Sequence, residues 1–200
     1  MPEDKSIVIE NGSNLENLEI DELNIANSEL YDLRFSETLF NKAVFSQAKI
    51  GDAKFIGTTF KDSDLSNLRL EKSDFVDCDF NKCRMTGFQG SGNSFLDVRF
   101  KGCQLRLSQF RFAKLRHVLF EDCILEEADF NTAELSEIAF VNCDLTKSDF
   151  SSSKMSKVDL RSSVINHIRV GIDSLKGAII DPTQVNDLAH LLGAKIEWKK

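Results

Sequence analysis

Cysteine and histidine are the side chains of this chain best suited to catalysis or metal binding, and their spacing favours neither role. A cysteine nucleophile needs a base within hydrogen-bond reach, and a zinc site needs ligands that converge on one point. All five cysteines fall in one five-residue frame: Cys78, Cys83, Cys103, Cys123 and Cys143. His117 and His167 fall in another frame, and His190 lies near the C-terminus. We therefore predict a protein that is not an enzyme and holds no cofactor or metal.

A glycine-rich segment at residues 87–93 is a second candidate for chemistry, because glycine loops can cradle phosphate groups. Such a loop also carries a lysine followed by serine or threonine, and that pair is absent here. The segment is instead interpreted as either a kink or a five-residue bulge. Neither interpretation shifts the surrounding pattern, which resumes in the same frame at Phe95.

That pattern is a repeat of five residues. Of the 33 residues at every fifth position from Leu15 to Leu175, 32 are Leu, Ile, Phe, Met or Val, and the exception is Gly90. On an α-helix this spacing would spread the apolar side chains over all faces, and on a continuous strand it would alternate them between two sides. A chain that turns a corner once per repeat aims every fifth side chain inward, as in repeat and β-helix architectures.

A second frame, two residues before each large apolar residue, holds mostly Ala, Ser, Thr and Cys. A narrow tube packed at interior density has room for one large and one small side chain per repeat. The cysteines belong to this small inward frame, and buried thiols behave as compact apolar groups. Five is an odd number, and no apolar signal segment precedes Leu15. We therefore expect reduced core cysteines and a cytoplasmic location.

The chain resembles the pentapeptide repeat proteins, whose pattern is Ala-(Asp/Asn)-Leu-x-x. Matching stretches include Ser73-Asp74-Phe75, Cys78-Asp79-Phe80 and Ala128-Asp129-Phe130. The resemblance implies an all-β fold, a right-handed quadrilateral β-helix with four repeats per coil over residues 13–177. Residues twenty apart should then stack, and the column Phe60, Phe80, Phe100, Phe120 and Phe140 agrees with that.

Both ends of such a stack need a cap, because its terminal backbone groups are unpaired. Residues 1–12 are expected to cap the first coil, with Ile7 and Ile9 in a short strand or cap. At the other end, Asp181-Pro182 predicts a short C-terminal capping helix over about 182–192, within a segment of residues 178–200 that ends in a short strand. In gyrase-interacting relatives this end joins two tubes, so the resemblance implies a homodimer. The expected contacts are Val185, Leu188, Leu192, Ile196 and Trp198.

Charge is the remaining signal, with a net value of −7. One stretch is basic without an acid: Arg99, Lys101, Arg106, Arg111, Lys114 and Arg116. The next is acidic without a base and is the predicted partner-binding site: Glu121, Asp122, Glu126, Glu127, Asp129, Glu134, Glu137 and Asp144. The two stretches predict a basic ring followed by an acidic band. Some of these acids, Asp129 and Asp144 among them, could instead hydrogen-bond the turn backbone.

The chain is similar to the quinolone-resistance (Qnr) and MfpA-type members of the family. That resemblance implies a DNA mimic that binds a type II topoisomerase, DNA gyrase or topoisomerase IV. Inhibition is the expected effect, with quinolone resistance as the open alternative. A cytoplasmic scaffold with an unknown partner is the second hypothesis. Direct nucleic-acid binding is disfavoured by the acidic net charge, and no membrane association is expected.

Overall fold

The computed structural model describes residues 7–192. They contain one parallel β-helix of about eight coils and a short helical segment at its C-terminal end. Each coil takes twenty residues and has four faces, so residue n hydrogen-bonds residue n + 20. Phe100, for example, pairs in register with Phe80 on one side and Phe120 on the other. The four-sided architecture that the family resemblance implies is therefore confirmed.

Two faces carry regular sheets of three-residue strands. Face 1 contains Asn14–Glu16, Arg34–Ser36, Lys54–Ile56, Asp74–Val76, Ser94–Leu96, Lys114–Arg116, Glu134–Ser136 and Lys154–Ser156. Face 2 contains Glu19–Asp21, Leu39–Asn41, Thr59–Lys61, Asp79–Asn81, Arg99–Lys101, Leu119–Glu121 and Ala139–Val141. In each full strand the middle side chain points inward, so the two outer residues supply the surface.

The other two faces are less regular. Face 3, centred on Ile25, Phe45 and their equivalents, is held by isolated bridges such as Asn24 to Val44. Face 4 has two short sheets, with strands at Glu29–Tyr31, Lys49–Gly51, Arg69–Glu71, Asp149–Phe150 and Arg169–Val170. Isolated bridges through Gln89, Gln109 and Asp129 connect these two sheets. The backbone stack is therefore continuous on all four sides.

The core is a column of aromatic rings surrounded by small side chains. The rings of Phe100 and Phe120 lie 4.7 Å apart at an interplanar angle of 5°. Every central residue from Ile20 to Val170 is buried. The five cysteines are buried free thiols, as predicted. Burial raises the pKa of the Cys78 thiol to about 12, which makes the thiolate rare at neutral pH.

The edges between faces depend on left-handed backbone. Every fifth residue from Asn17 to His167 has a positive φ, and only four of these positions are glycine. We name the edges by the faces that they join. Edge 1–2 carries residue 17 and its equivalents at intervals of twenty, edge 2–3 carries residue 22, edge 3–4 residue 27 and edge 4–1 residue 32. Side chains at the edges point to solvent.

The glycine segment 87–93 is neither a kink nor a bulge. Gly87, Gly90 and Gly92 each donate a backbone hydrogen bond of 2.8 Å to the following coil, so the register continues through them. Phe88, which takes a normally small position, is completely buried and fills the space beside Gly90. The sequence showed that position 90 lacks a large apolar residue. The structure shows that Phe88, two residues earlier, fills the space in the core.

Both caps differ in detail from expectation. Ile9 is buried against the core, but residues 7–10 form no strand. The regular frame stops at Val170, and residues 172–177 form turns instead of a last repeat. The predicted helix is split into Pro182–Gln184 (3-10), Val185–Leu188 (α) and Ala189–Leu192 (3-10). Asp181 caps it as predicted, by accepting a hydrogen bond from the Thr183 amide.

Candidate functional site

The predicted acidic band does not form one surface. Because a coil takes twenty residues, Glu121 lies on face 2, Glu126 on face 3, Asp129 on face 4 and Glu134 on face 1. Asp122, Glu127 and Glu137 lie on the edges between those faces, and Asp144 lies on face 3 one coil later. A partner that approaches from one side would therefore meet only part of the set.

Most of these carboxylates are also paired with cations from the neighbouring coils. Six of the eight form ion pairs: Glu121 with Lys101, Glu126 with Arg106, Glu127 with Lys147, Asp129 with Arg111, Glu134 with Lys154, and Glu137 with Lys157. Hydrogen bonds from Lys154 and Lys157 lower the pKa values of Glu134 and Glu137. Three of these pairs join the acidic band to the basic ring, and the other three join it to lysines of the following coil. Most of the charge of the band is therefore paired within the chain.

Several aspartate carboxylates accept hydrogen bonds from backbone amides of the turns. This is the alternative role that the sequence pattern suggested for Asp129 and Asp144. Asp129 accepts a 2.8 Å hydrogen bond from the Asn131 amide, and Asp144 accepts one of 3.0 Å from Thr146. Asp64, Asp149 and Asp159 make the same contact two residues ahead. These carboxylates have a structural role whatever the partner is.

A different acidic surface lies along edge 1–2 in the N-terminal half of the rod. We call it the acidic edge; its residues are Glu16, Glu19, Glu37, Asp77, Asp79 and Asp97. They lie on the edge or next to it on faces 1 and 2. Arg99 is the one base at the same positions of these five coils, and it lies 3.6 Å from Asp79. Among the described residues, Glu16, Glu19, Glu37 and Asp77 form no ion pair.

The acidic edge does not stand out along the chain, because most of its members come from separate coils. Part of the signal is local, since seven acids and no base lie between Lys5 and Arg34. Stacking at intervals of twenty then adds Glu37, Asp77 and Asp97 to the same edge. The six acids therefore form a line parallel to the rod axis, although more than eighty residues separate the first from the last.

A shallow groove of about 250 Å³ opens where the acidic edge passes face 2. His117 lies in this groove, with its Nδ1 atom 2.9 Å from Asp97 and its Nε2 atom 3.5 Å from Glu137. Cys78 lies at the groove but is only 1% exposed. A nucleophile needs access and an available thiolate, and Cys78 has neither. Among the described residues, no cluster of three or more His, Cys, Asp and Glu could hold a metal ion.

The predicted dimer contacts are only partly visible. Val185 is exposed, whereas Leu188 is buried against the end of the core. Ile196 and Trp198 lie outside the described residues, and the side chain of Leu192 is likewise not described. Within residues 7–192, no helix has the length and apolar character needed to cross a membrane.

Comparison with known proteins identifies the repeat. A family model described as a pentapeptide repeat region matches residues 113–176, and a second, described as pentapeptide repeats in nine copies, matches residues 40–87. Together they cover more than half of the chain. A search of curated proteins found no match.

Three solved structures with a similar course of the chain have low sequence identity to it. HetL, a pentapeptide repeat protein involved in heterocyst differentiation regulation in Nostoc sp. strain PCC 7120, is 18% identical with a TM-score of 0.40, over 85% of this chain and 90% of that one. Trypsin-treated QnrB1, a plasmid-mediated fluoroquinolone resistance protein, is 18% identical with a TM-score of 0.36, over 94% and 99%. Rfr23 from Cyanothece 51142 is 12% identical with a TM-score of 0.23, over 86% and 90%. At these values, none of the likenesses bears on function.

Proposed function

This chain belongs to the pentapeptide repeat family, and from that premise we propose that it is a DNA-mimicking rod that binds a type II topoisomerase, DNA gyrase or topoisomerase IV. The contact surface is the acidic edge, and not the acidic band predicted from the sequence. The topoisomerase surface that receives duplex DNA is basic and elongated, so a narrow acidic rod fits it in both shape and charge.

The charge density of the acidic edge is the observation that supports this proposal. From residue 17 to residue 97 the chain climbs four coils, which at about 4.8 Å per coil spans about 19 Å. One strand of duplex DNA carries a phosphate about every 3.4 Å, hence about six over the same length. The acidic edge carries six carboxylates there, offset by Arg99. The comparison applies to this edge alone, since the whole rod carries far less charge than an equal length of duplex.

The test is a gyrase supercoiling assay together with direct binding, in the presence and absence of a fluoroquinolone. We expect the wild-type protein to inhibit supercoiling, or to protect gyrase from the drug, at micromolar concentration. The triple variant Glu16→Gln, Glu19→Gln, Glu37→Gln should bind more slowly and with a weaker dependence on salt. Glu126→Gln, Glu127→Gln, Glu134→Gln is the matched control, because it removes the same charge from the paired band.

An equal loss of binding in the two triple variants would contradict the acidic edge as the contact surface. No effect on gyrase or topoisomerase IV by any form would remove the DNA-mimic proposal. The second candidate function, a cytoplasmic scaffold with an unknown protein partner, would then stand. It is favoured by the ion pairs around the middle of the rod, which leave a nearly neutral surface there.

A further inference from the structure

Three apolar residues form a line on the outside of face 1. Ile56, Val76 and Leu96 each end a strand, and the three strands pair in register, so these side chains stack one above another. We call this line the apolar ladder. Ile56 is 44% exposed, and the other two side chains are partly exposed. Single apolar residues are common on protein surfaces, but no other outward column of residues 14–170 has three in succession.

The apolar ladder runs directly beside the acidic edge. Asp77 and Asp97 are the edge residues that follow its second and third rungs. The edge residue after the first rung is Gly57, which has a φ of 58° and no side chain. The Glu37 carboxylate, from the coil before, lies over this glycine, so that an added Cβ atom would be 2.7 Å from its Cδ atom. Each of the three rungs therefore has one apolar group and one carboxylate beside it.

The charge beside the ladder is one-sided. Glu37 and Asp77 form no ion pair among the described residues, and the Oδ1 atom of Asp97 lies 2.9 Å from Nδ1 of His117. The opposite flank carries one base, one acid and one hydroxyl: Lys54, Asp74 and Ser94. A partner that fits this surface needs an apolar stripe with positive charge along one side.

We propose that the apolar ladder binds a basic amphipathic α-helix of a partner protein, laid along the rod axis. The rungs repeat at about 4.8 Å, so the third lies about 9.6 Å from the first. On an α-helix, residues i, i+3 or i+4, and i+7 share one face and lie at about 0, 4.5–6 and 10.5 Å along the axis. An extended strand repeats the same side only about every 6.8 Å. The spacing of the rungs therefore favours a helix.

The charge of the acidic edge defines which helix fits. Lysine or arginine next to the apolar stripe would lie over Glu37 and Asp77, and such complementary charge speeds association. A row of carboxylates that only replaces phosphates needs no apolar neighbours, so the ladder points to a protein element. The inference shares the acidic edge with the proposed function but does not rest on it, because any partner with this helix would bind.

A labelled synthetic peptide tests the proposal by fluorescence anisotropy. The peptide has about 18 residues, with leucine at helical positions i, i+3, i+4 and i+7, lysine along one flank, and alanine and glutamine elsewhere. The control peptide has the same composition in an order without an apolar face. We expect the first to bind the full chain with a Kd in the micromolar range and the second at least about tenfold more weakly.

Variants of the protein locate the site. The triple variant Ile56→Thr, Val76→Thr, Leu96→Thr removes the ladder and keeps every acid, and threonine suits outward strand positions, so the fold should be retained. It should weaken peptide binding at least about tenfold. The double variant Val141→Thr, Val164→Thr is the matched control, because these residues are also exposed but lie on faces 2 and 3. It should bind the peptide as wild type does.

Three results would overturn the proposal: no binding of the amphipathic peptide, equal binding of the two peptides, or a triple variant that binds as wild type does. Self-association of the protein that the triple variant abolishes would also overturn it, since a second copy would then cover the ladder. The gyrase assay is independent, because the triple variant keeps the whole acidic edge. Loss of peptide binding with gyrase inhibition intact would separate the two surfaces.

Discussion

Phe88 occupies the space that Gly90 leaves in the core. A Cβ atom on Gly90 would lie 2.9 Å from Cε1 of Phe88, closer than real contacts allow, and Phe88 itself is completely buried. In every other repeat from Leu15 to Leu175 the large residue occupies the position of Gly90. The coil at 87–93 thus keeps the usual core volume with large and small positions exchanged, and Gly90 and Phe88 should behave as one unit.

We expect Gly90→Leu and Phe88→Ala to destabilise the protein separately and to compensate when combined. Phe88→Ala empties a core site and should cost about 3–5 kcal/mol. Gly90→Leu overfills the same site and should cost about 1–3 kcal/mol. The double variant restores the regular pattern, so its loss should be smaller than that of Phe88→Ala alone. Denaturant unfolding of all four proteins measures the coupling, and simple additivity would contradict the exchange.

Replacing Phe112 with asparagine should stabilise the monomer. Asparagine adopts positive φ more readily than phenylalanine, and a side chain that is 61% exposed loses little packing. We expect a gain of up to about 1 kcal/mol, or about 2–4 °C in Tm, measured at a concentration where the protein is monomeric. Ile56→Asn is the control, because Ile56 is also exposed but lies in a strand. An equal gain in both variants would remove the conformational explanation.

The ion pairs between coils should respond to charge exchange. Lys101→Glu places a second acid beside Glu121, where the native Lys101 Nζ atom lies 3.1 Å away. Both side chains are partly exposed, so the loss should be about 0.2–1 kcal/mol. The exchanged variant Lys101→Glu, Glu121→Lys should recover most of it at low salt and less at high salt. If the exchange recovers nothing, the pair does not contribute to stability.

Acid stability should depend in part on Asp159. Hydrogen bonds from Arg161 lower the pKa of Asp159 below its ordinary value of 3.8. A carboxyl with a lowered folded-state pKa stabilises the fold above its unfolded pKa, and the contribution disappears as pH falls through the folded value. The stability difference between wild type and Asp159→Asn should therefore be constant above about pH 5 and shrink below pH 3.8. A difference that stays constant into strong acid would contradict the linkage.

The five thiols should react only when the protein unfolds. All five are buried, and burial raises the pKa of Cys78 to about 12. A thiol reagent at pH 8 should therefore label none of the cysteines in the native protein and all five in denaturant. Ser94→Cys, which adds a thiol to the outer side of a face 1 strand, is the positive control for reagent access. Rapid labelling of native wild type would mean that the coils open locally.

The Asp181 cap could be predicted because it depends on neighbours in the chain. Its carboxylate bonds the amide of Thr183, two residues away, and the Asp-Pro pair is visible in the sequence. The acidic edge could not be found in the same way, because Glu37 and Asp77 are forty residues apart. Gln184 is a similar case: its side-chain amide donates to the Leu160 and Ser163 carbonyls across the last coil. No local pattern indicated those contacts.

The sequence by itself determined the coil, since apolar side chains at every fifth position can be buried together only if the chain turns at every repeat. The tertiary structure alone decided which charges face one another. Stacking at intervals of twenty brought Glu126 to Arg106 and neutralised the band that looked most acidic along the chain. The physical reason is that burial is decided for each residue within its own repeat, whereas electrostatic interactions depend on distance in space. In the β-helix, residues twenty apart in the sequence are closer neighbours than most residues five apart.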